Sequence, residues 1–283
     1  MEFRILLMAC TIVANLKIVA DDLGLAKPIN DGIFELLKTG RISGASLMAN
    51  GEAFDDAVNR CLEVQLPNIG VHFVLVEEKS ITGIELPKNH KSFFLKYILG
   101  IISKKDIESE LKAQVNKIIS AGVRPVFINS HQHLHLLPGI MDMVIEIAKE
   151  NNITYIRLVD EPMHGNGKIF RKIQLVFLRF LSGLARKKLN KAGLVYNNKF
   201  IGFINAGNLS IKDIELARSI ENGIIELGCH PGYENEEFKK KMENLPRTLS
   251  QGGLEAVKKA LAKDEHKENV YEAGKHGEET SAN

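Results

Sequence analysis

Residues 17–24 read KIVADDLG, a short apolar run that ends in two aspartates. Six more apolar, β-branched runs follow it, and segments with a helical spacing of apolar residues separate them. The predicted strands are residues 16–20, 45–49, 69–76, 126–128, 154–158, 200–204 and 224–227. The predicted helices are residues 29–37, 53–62, 106–119, 140–149, 169–189 and 211–220. Strand followed by helix, about seven times over, predicts βαβ units and an α/β fold with a mostly parallel sheet.

The composition is that of one globular domain. The 283 residues are 45% apolar and 25% charged, which is ordinary for a folded protein. We expect one domain over residues 1–262, with an insertion at 77–105, and a disordered polar tail over 263–283.

A net charge of +2 gives no reason to expect a nucleic acid partner. The N-terminus does not resemble a signal peptide and the three cysteines are widely spaced, so we expect a reducing, cytoplasmic location.

Polar side chains gather near the carboxyl ends of the predicted strands. Five strands contribute the residues Asp21, Asp22, His72, His131, Arg157 and His230. In parallel sheets and barrels this edge is where active sites are built. Each residue alone has an ordinary alternative. The aspartates could be a turn and helix cap, His72 a core position, His131 a cap or surface position, and His230 a strand end before a Pro-Gly turn. Their shared placement favours a metal or acid–base site.

An aspartate and two histidines make a mixed oxygen–nitrogen site with open coordination positions. Such a site suits one divalent ion, with magnesium or zinc expected first and manganese, cobalt or nickel as alternatives. Open positions are typical of catalytic sites, because water or substrate must occupy them. A second carboxylate beside the ligands can accept a proton from bound water.

Five motifs in a fixed order make the sequence similar to a known family. They are ADDLG, GRISGASLMANG, IGVHFVL, NSHQHLHLLPG and ELGCHPGY, and the likeness runs from about residue 17 to about residue 253. Together they resemble the YdjC-like carbohydrate deacetylases, the ChbG/HpnK group. The resemblance implies a TIM-barrel-like (β/α) barrel of about seven parallel strands with its active site at the C-terminal strand ends. It also implies metal-dependent removal of acetyl groups from N-acetylated amino sugars.

The same resemblance implies residue roles. The metal ligands fall on Asp22, His72 and His131. The general base falls on Asp21, and the histidine of the CHP motif, His230, would protonate the leaving amine.

Three positions depart from the usual family pattern. Val19, Leu23 and Asn129 stand where family members commonly have Asn, Phe and Asp. Asn129 cannot carry a charge, which puts an electrostatic role for that position in doubt. The HpnK-type branch, tied to hopanoid-type lipids, also has Asn there, and the stretches IRLVDEP and HFVLVE look closer to that branch than to the chitooligosaccharide enzymes.

Five further residues are expected to bind substrate or to support the ligands: His133, His135, Arg157, Asn129 and Tyr233. If the stretch NSHQHLH is extended, His133 points to the same face as His131; if it is helical, His135 does. Arg157 either orients Asp21 through an ion pair or is a solvated surface charge.

Residues 168–191 contain eight Lys and Arg and no acidic residue, interspersed with apolar side chains. The pattern predicts either a cationic outer helix of the barrel or a peripheral contact with an anionic membrane surface. Trp is absent from the chain, which disfavours an open oligosaccharide cleft lined with indoles. Both features favour an amino sugar on a polyprenyl-phosphate or glycolipid carrier over soluble chitooligosaccharide.

Two functions of other classes remain as alternatives. A metal phosphoesterase would show more carboxylate ligands and a glycine-rich phosphate loop, and the sequence has neither feature. A non-catalytic sugar-binding barrel would have no use for a base beside the ligands. A second copy of the chain, as a homodimer, is a further expected partner.

Overall fold

The computed structural model describes residues 15–65, 68–164, 169–207 and 209–233. The predicted polar tail at 263–283 lies outside the described residues, and so does Lys168 of the basic segment.

Seven strands of the described chain form one sheet, and every pair of neighbours is parallel. The strands are β1 Asn15–Leu23, β2 Gly44–Leu47, β3 Ile69–Phe73, β4 Phe127–Ser130, β5 Tyr155–Ile156, β6 Lys199–Ile201 and β7 Ile224–Cys229. Their order across the sheet is β5-β4-β3-β2-β1-β7-β6. The predicted parallel α/β architecture is confirmed, and each predicted strand overlaps an observed one.

The sheet curls so that its two edges approach each other. At the β5 edge, the Ile156 amide donates to the Val195 carbonyl at 2.9 Å, and the Val195 amide donates to the Thr154 carbonyl at 2.8 Å. Further along, the Phe200 amide of β6 donates to the Asp160 carbonyl at 3.3 Å. These bonds satisfy edge groups that an open sheet would expose. The fold is therefore the TIM-barrel-like arrangement that the resemblance implies.

Strand β5 is shorter than the predicted segment 154–158. At Leu158, the side chain of Asn197 takes the place of a neighbouring strand. Its oxygen accepts from the Leu158 amide at 2.7 Å, and its Nδ2 donates to the Leu158 carbonyl at 2.8 Å. A single amide side chain thus satisfies both backbone groups, and the pairing ends although the apolar pattern continues.

Helices follow the strands and cover the outside of the sheet. They are α1 Lys27–Lys38, α2 Phe54–Val64, α3 His90–Ile98, α4 Lys104–Ser120, α5 Ile140–Glu150, α6 Ile169–Ala192 and α7 Ile211–Arg218. Local signals explain several starts: Pro28 lies in the first turn of α1, and the Ser103 hydroxyl accepts from the Asp106 amide at the start of α4. Among the described residues, no helix is both long enough and apolar enough to span a bilayer.

The expected insertion at 77–105 carries α3 and is fastened by a buried carboxylate. Glu110 of α4 accepts hydrogen bonds from the backbone amides of Ile81 and Thr82 at 2.9–3.1 Å. Beside it, Gln114 bonds both backbone groups of Val74. A buried carboxylate is stable here because donors surround it. The result is a fixed path for the chain just after β3, where the site begins.

Candidate metal centre

A β-bulge in β1 brings two neighbouring aspartates into one site. The register between β1 and β2 shifts between Ala20 and Leu23, and Asp22 adopts a left-handed backbone with φ of +65°. Successive residues of a regular strand point to opposite faces, so Asp21 and Asp22 could not otherwise share a site. A left-handed non-glycine residue costs on the order of 1 kcal/mol, which the surrounding contacts must offset.

Asp22 meets two imidazoles from neighbouring strands. Its Oδ1 atom lies 3.2 Å from Nε2 of His72 on β3 and 3.1 Å from Nδ1 of His131, just after β4. Ligand atoms of the three residues all lie within 4.8 Å of one another, and all three side chains are buried. The residues implied as metal ligands are therefore brought together.

The hydrogen bonds of His72 show that the donor set fits a metal ion. Its Nδ1–H donates to Asn129 Oδ1 at 2.7 Å, and Ser46 Oγ lies 3.0 Å from the same nitrogen. That leaves a lone pair on Nε2, which is buried without a hydrogen-bond partner among the described residues. A buried orphan acceptor is costly unless it has a ligand. This Nε2 atom faces Asp22. The hydrogen bond to Asn129 keeps the proton of His72 on Nδ1, and a metal ion needs this tautomer because it binds the lone pair on Nε2.

His131 is held from both sides of its ring. Nε2 lies 2.9 Å from Oε2 of Glu77, while Nδ1 faces Asp22. Burial alone would lower the pKa of His131, but the hydrogen bonds to Asp22 and Glu77 outweigh it and raise that pKa to about 10. A carboxylate behind a ligating histidine fixes the orientation of the ring and makes the other nitrogen a stronger metal ligand.

Asp21 is anchored by a buried arginine. Nη1 and Nη2 of Arg157 both donate to its carboxylate, the latter at 2.9 Å. Ser46 Oγ and Asn129 Nδ2 add bonds to Oδ1 at 2.7 and 2.9 Å. Burial would raise the pKa of Asp21, but the Arg157 charge prevails and holds that pKa well below its usual range. The ion pair expected between Arg157 and Asp21 is present, and Arg157 is fully buried instead of solvated.

A second carboxylate completes the surroundings of Arg157. Glu226 of β7 accepts from Arg157 Nε, and the hydroxyl of Tyr155 donates to the same carboxylate at 2.5 Å. One guanidinium therefore joins two buried acids, Asp21 and Glu226. Such a cluster is stable only while every charge keeps its partner.

The chain after β4 is neither extended nor α-helical. Residues His131–Leu136 form a tight 3₁₀-like turn in which Gln132 and His133 have left-handed backbones. His135 points away from the ligands: its Nδ1 lies 2.6 Å from Ser130 Oγ, and its Nε2–H donates to the Arg157 carbonyl at 2.9 Å. The two conformations weighed from the sequence are both wrong, because two left-handed residues change the ring directions.

His133 and His230 lie near enough to the site to interact electrostatically with Asp21, whereas Tyr233 bonds to α1. The His133 ring packs against Phe200 and Phe203, with centroids 5.7 Å away in each case. His230 follows β7; burial lowers its pKa, and the nearby Asp22 and Asp21 charges oppose that shift. Tyr233 is 41% exposed, and its hydroxyl bonds Glu35 of α1.

Sequence reasoning missed Glu77, Ser46 and Glu226. Glu77 directly follows the apolar run after His72, so an acid at a strand end was the available signal. Ser46 and Glu226 lie inside strands β2 and β7, where nothing local separates a site residue from a structural one.

Comparisons with known proteins show which family the chain resembles. A family model described as YdjC-like protein matches residues 15–272. A carbohydrate deacetylase from Clostridium beijerinckii is 28% identical over 219 residues, covering 76% of this chain and 80% of the relative. A carbohydrate deacetylase from Brevibacillus brevis is 32% identical over 143 residues, covering 49% of this chain and 57% of that relative.

The fold is also found among solved structures. One of them comes from Enterococcus faecalis V583 and is described provisionally as a cellobiose-phosphate cleavage protein. It superposes with a TM-score of 0.66 at 17% identity, covering 89% of this chain and 95% of that chain. At this identity the likeness concerns the fold alone.

Proposed function

The chain belongs to the YdjC-like family, and we propose that it is a metal-dependent deacetylase that hydrolyses the acetamide of an N-acetylated amino sugar. Its similarity to carbohydrate deacetylases supports the reaction class. The observation that carries the proposal is the pair of adjacent carboxylates: Asp22 faces two imidazoles, and Asp21 is held ionised beside them. We also propose that residues 1–262 form one catalytic domain; the family match over residues 15–272 covers most of this range and extends into the expected tail.

Asp22, His72 and His131 would hold one divalent ion. When bound, the ion would polarise the acetyl carbonyl and lower the pKa of water in the site. Two imidazoles and one carboxylate favour zinc over magnesium, because magnesium prefers an all-oxygen shell. Manganese, cobalt and nickel accept the same donors.

The remaining chemistry belongs to the chain's own side chains. Asp21 accepts the proton that the attacking water loses, and Arg157 keeps its carboxylate ionised and in place. His230 donates a proton to the amide nitrogen as the carbon–nitrogen bond breaks, so that a neutral amine leaves. His133, half-buried beside the ligands, is placed to contact the sugar. The products are acetate and the free amino sugar.

For the substrate we propose an amino sugar on a lipid-linked carrier, as in the HpnK-type branch. Helix α6 supports this choice through its apolar side chains: Phe170, Phe177 and Phe180 are 52%, 43% and 63% exposed. Exposed aromatic side chains in such number mark an interaction surface. The helix is less cationic than its sequence indicates, because Arg179 and Arg186 pair with Asp160.

Acetate release tests the proposal. The metal-stripped protein is reloaded with zinc or magnesium and given N-acetylglucosamine, a chitooligosaccharide, or N-acetylglucosamine 1-phosphate esterified to an isoprenoid. We expect metal-dependent acetate release, fastest from the lipid-linked sugar. Equal rates on the chitooligosaccharide would make the soluble sugar the substrate. Release of phosphate in place of acetate would establish a phosphoesterase, and no release from any substrate would contradict the deacetylase.

A further inference from the structure

A cavity of about 380 Å³ adjoins the metal centre, between α3, the His131–Leu136 turn and α6. Its walls are largely apolar and include Phe94, Phe177, Leu181 and Phe203. The volume lies within the range of roughly 300–1,000 Å³ that is usual for small-molecule sites. The reaction proposed above takes place at Asp21 and Asp22 and does not require this cavity.

Two histidines form the polar end of the cavity, next to the metal centre. Nδ1 of His133 and Nε2 of His90 are both buried and have no hydrogen-bond partner among the described residues. His133 also packs on Phe203 of the apolar wall, and its ring is near enough to Asp21 to interact with it electrostatically. Unpartnered buried nitrogens are rare in folded proteins, so each of these two requires a polar partner, supplied by a ligand or by water. The cavity therefore begins next to the metal centre, with Gln132 and His133 following the ligand His131 in the chain.

The charges that line the cavity are positive. Arg171 lies over the Phe203 ring at 5.0 Å, and Lys91 lies over the Phe170 ring at 5.1 Å. No carboxylate is found among the described lining residues. Glu161 is the acid that interacts electrostatically with Arg171. Its carboxylate accepts a hydrogen bond from the Phe203 amide at 2.7 Å. Burial lowers the pKa of Arg171, as expected of a cation that has lost water without a full ionic partner.

We propose that this cavity binds the apolar chain of an anionic glycolipid, with Arg171 and Lys91 contacting the phosphate that joins the chain to the sugar. This inference rests on the proposed deacetylase function and names the part of the substrate that the metal centre does not recognise. Cations above an apolar pocket are complementary to a phosphate followed by a hydrocarbon chain.

Exposed apolar side chains surround the outer rim of the cavity. Phe94 of α3 and Phe177 of α6 contact each other with ring centroids 5.9 Å apart, and they are 38% and 43% exposed. Beside them, Phe180, Ile173 and Leu95 are all at least 60% exposed. A chain could therefore pass from the membrane across these side chains into the cavity without crossing water.

Calorimetric titration with decyl phosphate, below its micelle concentration, tests the cavity without requiring catalysis. The full-length, metal-loaded protein is titrated with decyl phosphate, inorganic phosphate and decyl maltoside. We expect decyl phosphate to bind at least about tenfold tighter than either of the others, because only it supplies both chain and anion. Binding no tighter than that of inorganic phosphate would overturn the proposal.

Matched variants on α6 locate the binding. Phe177→Ala removes a wall of the cavity and should weaken decyl phosphate binding about tenfold, while Arg171→Gln should abolish the advantage of decyl phosphate over decyl maltoside. Leu184→Ala shortens an exposed apolar side chain of the same helix outside the cavity and should change neither affinity. Equal losses for Phe177→Ala and Leu184→Ala would contradict a specific cavity.

Acetate release then separates failure of this inference from failure of the proposed function. The two substrates are N-acetylglucosamine 1-phosphate and its decyl phosphodiester. A lower KM for the decyl compound in the wild type, lost in Phe177→Ala, is expected. Equal KM values would leave the deacetylase intact and reject the cavity as the chain site. Binding of decyl phosphate without acetate release from either sugar would support the cavity and reject the deacetylase.

Discussion

Oε2 of Glu77 lies 2.9 Å from Nε2 of His131, on the ring edge opposite the nitrogen that faces Asp22. The Glu77 side chain is 1% exposed, so its charge acts through little water. An acid in this place orients the imidazole and increases the basicity of the nitrogen that would bind a metal.

Glu77→Gln should weaken zinc affinity by about 10- to 100-fold, because the amide keeps the shape and loses the charge. Competition with a fluorescent zinc chelator measures the affinity. Glu85→Gln, in the same insertion but exposed, is the control and should match the wild type. Unchanged affinity in Glu77→Gln would show that the Glu77 carboxylate does not support the site.

The alanine variants Asp22→Ala, His72→Ala and His131→Ala should each lose bound metal together with activity, because three protein ligands leave none to spare. Elemental analysis of the purified proteins measures occupancy. His133→Ala removes a neighbouring imidazole outside the ligand set and should keep its metal. Full occupancy in any of the first three variants would remove that residue from the ligands.

Asp21→Asn should keep the metal and lower kcat by about 10²-fold, toward the lower end of what a general base contributes. The smaller effect is expected because Arg157 holds the Asp21 pKa well below its usual range and makes the carboxylate a weak base. Metal analysis and kcat are measured on the same preparation. Loss of the metal would instead make Asp21 a ligand, and unchanged kcat would exclude it as the base.

Glu226→Gln should lower the free energy of unfolding by about 3–5 kcal/mol, because it removes one partner from a buried ion cluster. Urea denaturation measures the change. Asp142→Asn breaks the exposed ion pair with Lys188 and should cost less than about 1 kcal/mol. Equal losses in the two variants would mean that burial adds nothing to the Arg157–Glu226 interaction.

The protein should float with vesicles that contain phosphatidylserine and not with neutral vesicles, and the binding should weaken as salt rises. Lys187 and Lys191 are exposed on α6, and replacing both with Gln should remove about 1 kcal/mol of attraction per charge. A variant with Lys38 and Lys105 replaced, on α1 and α4, has the same net charge and should float like the wild type. Equal flotation with both lipids would count against an electrostatic contact through α6.

Apart from α3 in the insertion, the sequence alone determined the order of the elements, and it determined the edge of the sheet at which the site lies. Strands and helices form according to the spacing of apolar residues along a short stretch of chain, so the local sequence pattern predicts them. The parallel order then places every strand end on one side, which is why Asp22, His72 and His131 could be expected to meet.

Only the tertiary structure decided the direction of each side chain in the site. The bulge at Asp22 and the left-handed backbones of Gln132 and His133 are conformations that no local pattern of L-residues favours. Arg157 reaches Asp21 across 136 positions of the chain, and Glu77 reaches His131 across 54. Such pairs form because the curled sheet buries charges that must then be neutralised, and that requirement exists only after the strands have assembled.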